Sequence, residues 1–236
     1  MNIQYLNPLI RQTLPDACMK ITALPLCPKI KLYLLDPQGL DRPFSQEETR
    51  IILAHTPFWA FCWASGQALA QYLLQHAELV RGKRVMDFGA GSGVAGIAAA
   101  LAGAQEVWAC DLDEHALEVV RANAKLNGLD IKTARALEEA QEPFDLLLAA
   151  DVLFDRENLA WLDRFLSFAS RVLVAESRLK IRDVPLYEKI AESRASTLPI
   201  LSGFDMDQIV EFYEDRRARE REEEKEKGRS GESAKQ

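Results

Sequence analysis

From Arg84 onward, short apolar runs of β type alternate with stretches whose apolar residues recur at helical spacing. That rhythm predicts parallel strands joined by covering helices. The first strand of the series is Arg84 to Phe88; a glycine-rich turn follows, and VAGIAAALAG then reads as a small-residue helix stopping at Gly103. A second strand spans Glu106 to Cys110. Asp113 offers a side-chain cap to a helix running to Leu126, on which Leu117, Val120 and Ala124 share a face before Asn127-Gly128 turns the chain. Ile131 to Ala134, Asp145 to Ala150 and Arg171 to Ala175 continue the strands, the last two apolar as buried central strands are, with the amphipathic helix ENLAWLDRFLSF between them. Beyond Glu176 the spacing predicts a helix over Pro185 to Glu192 and strands at Thr197 to Leu201 and Gln208 to Tyr213. The expected architecture is therefore α/β: a doubly wound, mostly parallel sheet of seven strands.

Upstream, residues 1–80 read as an N-terminal cap, with a strand KLYLL at Lys31 to Leu35, a turn at Pro37 to Gly39 and a helix over Gly66 to Gln75. Residues 81–215 form the expected core. The stretch 216–236, RRAREREEEKEKGRSGESAKQ, has almost no apolar content to offset chain entropy and is expected to be a disordered tail. A chain of 236 residues, 48% hydrophobic and 28% charged, fits one globular domain with such appendages. Its net charge of -7 argues against holding nucleic acid by phosphate neutralisation. No window is apolar enough to span a membrane, and the N-terminus lacks the pattern of a signal peptide. Cys18, Cys27, Cys62 and Cys110 form no C-x-x-C pair, and the three histidines have no ligand spacing, so neither a metal site nor a disulfide framework is expected. A cytoplasmic location is the expectation.

The densest chemical signal is Asp87-Phe88-Gly89-Ala90-Gly91-Ser92-Gly93, where the strand at Arg84 hands over to a helix. Glycines let the backbone turn tightly against a ligand, and the helix start offers unpaired N–H groups to a carboxylate or phosphate. Asp111 closes the next strand, where an acceptor-only carboxylate can take both hydroxyls of a ribose. A nucleoside is implied. Gly91, Gly93 and Gly96 also satisfy the G-x-G-x-x-G dinucleotide fingerprint, so nicotinamide or flavin binding is the rival. Against it, Gly89 falls inside the strand end and Asp87 puts a carboxylate where that fingerprint continues an apolar strand; Asp87 suits a cationic group instead.

Two further segments carry candidate chemistry. Asp151-Val152-Leu153-Phe154 follows the Asp145 to Ala150 strand at the open edge of the sheet, where the acid can orient an amine and the ring can wall its alkyl stem; the alternative is that Asp151 caps the next helix and Phe154 packs in the core. The aromatic segment Pro57-Phe58-Trp59-Ala60-Phe61-Cys62-Trp63-Ala64-Ser65-Gly66-Gln67 reads equally as the roof of a pocket or as core beneath the cap.

Taken in this order over residues 28–160, the segments resemble the seven-β-strand, Rossmann-like S-adenosylmethionine-dependent methyltransferases, and within them the electron-transfer-flavoprotein β-subunit lysine methyltransferases. The resemblance implies S-adenosyl-L-methionine as cofactor, held by Asp87, Gly89, Gly91, Gly93 and Asp111. It implies a place near the cofactor for Trp63, which with Gly66 and Leu69 matches a W-x-x-G-x-x-L segment, and a catalytic role for Asp151 and Phe154 as the acid-x-x-aromatic motif. The implied function is protein-lysine N-methylation, with a lysine or N-terminus of a protein as acceptor. The alternatives are a small-molecule N-methyltransferase like that for nicotinamide, a dinucleotide oxidoreductase, and a non-catalytic nucleoside-binding protein. Two departures bear on the substrate: Phe154 stands where many relatives have tyrosine, and Ala175-Glu176-Ser177-Arg178 differs from the family's aspartate-proline-glycine segment. In this C-terminal third the chain looks closer to a bacterial branch described as protein N-terminal and lysine methylases, or as relatives of nicotinamide and ribosomal-protein methyltransferases.

Overall fold

The computed structural model describes residues 3–38, 44–140, 142–153, 156–179, 181 and 184–218. Its elements in chain order are α1 (Ile3–Ile10), β1 (Met19–Ala23), β2 (Lys31–Leu35), α2 (Gln46–Ala54), α3 (Ala64–Gln75), β3 (Arg84–Phe88), α4 (Val94–Leu101), β4 (Glu106–Cys110), α5 (Glu114–Leu126), β5 (Lys132–Ala134), β6 (Leu146–Ala150), α6 (Ala160–Phe168), β7 (Val172–Glu176), β8 (Tyr187–Ala195) and β9 (Gln208–Asp215). Short 3-10 turns lie between several of these.

Seven strands form one sheet in the order β5-β4-β3-β6-β7-β9-β8. The first five are mutually parallel, and β9 runs antiparallel to both β7 and β8. The direction of winding reverses between β3 and β6, which opens a crevice at their C-terminal ends; ligands bind at such a crevice in open α/β sheets. Leu146 to Ala149 are buried, as expected of a central strand covered on both faces. One layer packs α3 and α4 on the sheet through Leu69, Leu73, Ile97 and Leu148. The opposite layer packs α6 through Leu162 and Phe165 against Met86, Leu147 and Val172.

The cap is more ordered than the pattern foretells. α1 and the antiparallel hairpin β1–β2 pack Leu6, Ile10, Met19 and Tyr33 against Val119 and Ala122 of α5. Asn123, fully buried, ties this hairpin to the glycine loop: its Oδ1 accepts from Tyr33 N at 2.7 Å while its Nδ2 donates to Ser92 O at 2.9 Å. α2 starts with a capping box, Ser45 accepting from Glu48 N and Glu48 accepting from Ser45 N.

One element contradicts the sequence pattern in kind. Pro185 to Glu192 is not a helix: Tyr187–Ala195 is an edge strand paired along its length with β9. Tyr187, Ile190 and Ala191 have helical spacing because a bulge between Lys189 and Ala191 breaks the alternation, and pairing with β9 overrides the local preference. Thr197 to Leu201 is accordingly loop, carrying a single bridge from Leu198 to Cys62. The sheet reaches seven strands through β8 instead.

Candidate active site

The site begins where β3 ends. Gly89 and Gly91 take left-handed backbone, with φ of 64° and 49°, and a Cβ on Gly89 would stand 2.6 Å from Val152 Cγ1. The loop is pinned to the end of β4: Gly89 N and Ala90 N donate to Cys110 O, and Gly91 N donates to Asp111 Oδ2 at 2.9 Å. Asp111 Oδ1 accepts from Asp113 N at 3.0 Å, so two backbone donors fix the carboxylate plane. Asp113 in turn caps α5 through His115 N. Burial raises the Asp111 carboxyl above the ordinary aspartate value, while these backbone donors oppose the rise.

A cavity of about 560 Å³ opens in front of this loop. Gly89, Gly91 and Asp111 line it on one side, Trp63 and Phe58 on another, and Asp151 at the far end of β6. Of the sequence-predicted residues it brings five together, Trp63, Gly89, Gly91, Asp111 and Asp151. Asp87 and Gly93 are not among the residues that line it. Asp87 is buried, accepts from Gly96 N at 2.8 Å and so satisfies a donor of the first turn of α4; burial pushes its carboxyl up to about 7. Through that bond it holds the helix start. Gly93 is the left-handed residue from which that helix departs. Phe154 lies outside the described residues.

Asp151 has the most constrained geometry. Its backbone is left-handed, with φ of 52°, in a non-glycine residue, a conformation that costs free energy unless its surroundings enforce it. Four hydrogen bonds do so. Oδ1 accepts from Ser65 Oγ at 2.8 Å, Ser177 Oγ at 2.8 Å and Ser177 N at 3.0 Å; Oδ2 accepts from Ser65 N at 3.2 Å. Asp151 thus joins the first turn of α3, the end of β6 and the segment after β7. It does cap a helix, but α3 rather than the helix that follows it. A carboxylate offers about four acceptor sites on two oxygens. Oδ1 is saturated, and Oδ2 keeps one site beside the cavity that Asp151 lines.

Three neighbours carried no legible signal. Ser65 and Ser177 supply the clamp just described. Glu176, buried, accepts from Leu153 N at 3.0 Å through Oε1 and leaves Oε2 without a partner among the described residues; burial, reinforced by the Asp151 charge, pushes its carboxyl up to about 8. The aromatic segment divides between the two readings open to it: Trp59 is buried in the cap core, whereas Phe58 and Trp63 face the cavity, with Arg178 4.7 Å over the Trp63 ring.

The ribosomal protein L11 methyltransferase (PrmA) family matches residues 65–155. Electron transfer flavoprotein beta subunit lysine methyltransferase from Rattus norvegicus is 39% identical over 64% of this chain and 61% of its own length. The Mus musculus protein of that name is 36% identical over 72% of this chain and 69% of its own length, and the Homo sapiens protein 34% over 73% and 68%. Among solved structures, magnesium protoporphyrin IX methyltransferase from Synechocystis PCC 6803 shares the fold, with a TM-score of 0.51 and 15% identity over 74% of this chain and 89% of that one.

Proposed function

As a member of the electron transfer flavoprotein beta subunit lysine methyltransferase family, the chain is an enzyme, and we propose that it transfers a methyl group from S-adenosyl-L-methionine to the side-chain amine of a lysine in a protein. The observation that carries the acceptor is Asp151: a clamped carboxylate in left-handed backbone, with one acceptor site left at the cavity.

The residues present fit the cofactor. Asp111, held in plane by two backbone donors, suits the ribose diol; Leu112 and Leu137 form apolar walls for the base; the glycine loop, where no Cβ fits at Gly89, admits the aminoacyl end close to the backbone. When bound, S-adenosylmethionine supplies a sulfonium methyl group that a neutral amine displaces directly. A lysine ammonium has an ordinary pKa of about 10.4, so it must shed a proton to water first. Burying its stem against Phe58, Phe88 and Val152 lowers that pKa by desolvation. The free site on Asp151 Oδ2 then accepts an N–H and aims the lone pair; orientation of this kind is the main contribution a protein makes to such a displacement.

Labelled cofactor incubated with the enzyme and an extract lacking it tests the reading. Label in protein supports it. Label confined to small metabolites favours a small-molecule acceptor and overturns it.

A further inference from the structure

The loop between β8 and β9 exposes an unusual set of side chains. Ile200, Leu201, Phe204 and Met206 lie within seven consecutive residues and are 44%, 52%, 92% and 55% exposed. Yet the loop is tightly built. Asp205 Oδ2 accepts from Leu201 N, Ser202 N and Ser202 Oγ, Thr197 N donates to Asp205 O at 2.8 Å, and Asp207 N donates to Ser196 Oγ at 3.1 Å. Its root sits beside the active site: Leu198 and Cys62 exchange both backbone hydrogen bonds at 2.8 Å, and Thr197 Oγ1 accepts from Ala64 N, one residue from the Ser65 that clamps Asp151. Cys62 is followed by Trp63, which lines the cavity together with half-exposed Phe58.

We propose that Ile200, Leu201, Phe204 and Met206 form a docking surface for the protein substrate, gripping an apolar patch on it while its lysine enters the cavity. This rests on the protein-lysine reading above. Large apolar side chains held in the open by a hydrogen-bonded loop mark an interaction site rather than a fold requirement. The occupant follows from place and size. The root of the loop is bonded to Cys62 and Ala64, the neighbours of cavity-lining Trp63, so a protein whose lysine fills the cavity lies close to this loop. Four side chains are also few against the roughly 20 residues a side of a stable permanent interface, which suits a partner that arrives and leaves.

The test compares wild type with the Leu201→Ser/Phe204→Ser double variant and with Phe204→Leu. Initial rates of label transfer from labelled cofactor into protein are measured against increasing amounts of extract from a strain lacking the enzyme. The double variant should lose about tenfold or more in rate at low extract and regain most of it at high extract, with cofactor affinity and melting temperature unchanged. Phe204→Leu should stay within about threefold of wild type. Equal rates for wild type and the double variant, with label in protein, overturn the docking surface alone. A wild-type dimer that the double substitution dissociates also overturns it, by assigning the surface to a second copy. Label entering no protein with wild type overturns the functional reading, and the docking surface with it.

Discussion

Replacing Asp151 by asparagine separates orientation of the substrate from support of the fold. Asparagine tolerates left-handed backbone as aspartate does, so the φ of 52° adds no penalty. The amide has one way to sit. Its oxygen must take the Oδ1 position, where Ser65 Oγ, Ser177 Oγ and Ser177 N all donate, because an NH2 there would face three donors. The NH2 group therefore replaces Oδ2. It faces Ser65 N, leaving that donor without its partner at a cost of about 1–3 kcal/mol of stability. It also presents a donor to an incoming amine N–H. Loss of the charge and of the aimed acceptor should lower turnover about a hundredfold, ~3 kcal/mol of barrier. Cofactor affinity should hold, since Asp111 and the glycine loop are untouched. The assay pairs calorimetric cofactor binding with turnover on one folded variant. Turnover within about threefold of wild type would refute the reasoning and leave Asp151 as a cap for α3.

Asp111→Ala removes the acceptor for the ribose diol and the anchor of Gly91 N, so S-adenosylmethionine affinity measured by calorimetry should fall by about 2–3 kcal/mol; NAD(H) should bind neither protein. Gly89→Ala forces a Cβ toward Val152 Cγ1 in left-handed backbone, and a lower melting temperature with weakened cofactor binding is expected. Glu176 and Asp87 carry pKa values raised to about 8 and about 7, so the folded chain holds more protons than the unfolded one above about pH 4. Stability should therefore fall as pH rises from about 4 to 8, and the raised thiols of Cys27 and Cys110 carry the fall on into alkaline pH; Glu176→Gln should flatten the part of the slope just below about pH 8 in denaturant titrations.

The parallel core was legible because its signals are local. The strand at Arg84–Phe88, the Asp113 cap and the strand at Glu106–Cys110 stand where runs of apolar residues, a capping aspartate and a glycine turn put them. β8 was not, because Glu, Lys and Ala favour helix and only pairing with β9 decides otherwise. α1 was hidden by Pro8 inside it, whereas α2 announces itself in the unused signature Ser45-x-x-Glu48. The same limit holds at the site. Asp111 and Asp151 could be found by position in the fold, but the clamp from Ser65 and Ser177 depends on contacts between segments far apart in the chain.

The central claim is that this cavity methylates lysine in protein, and locating the transferred group tests it most directly. Wild-type enzyme, cofactor and an extract lacking the enzyme are incubated, the labelled acceptor is isolated, and its modified peptide is sequenced by mass spectrometry. The account predicts the methyl group on the side-chain nitrogen of a lysine, present with wild type and nearly absent with Asp151→Asn. A methyl group on any other residue or on a small metabolite would contradict it.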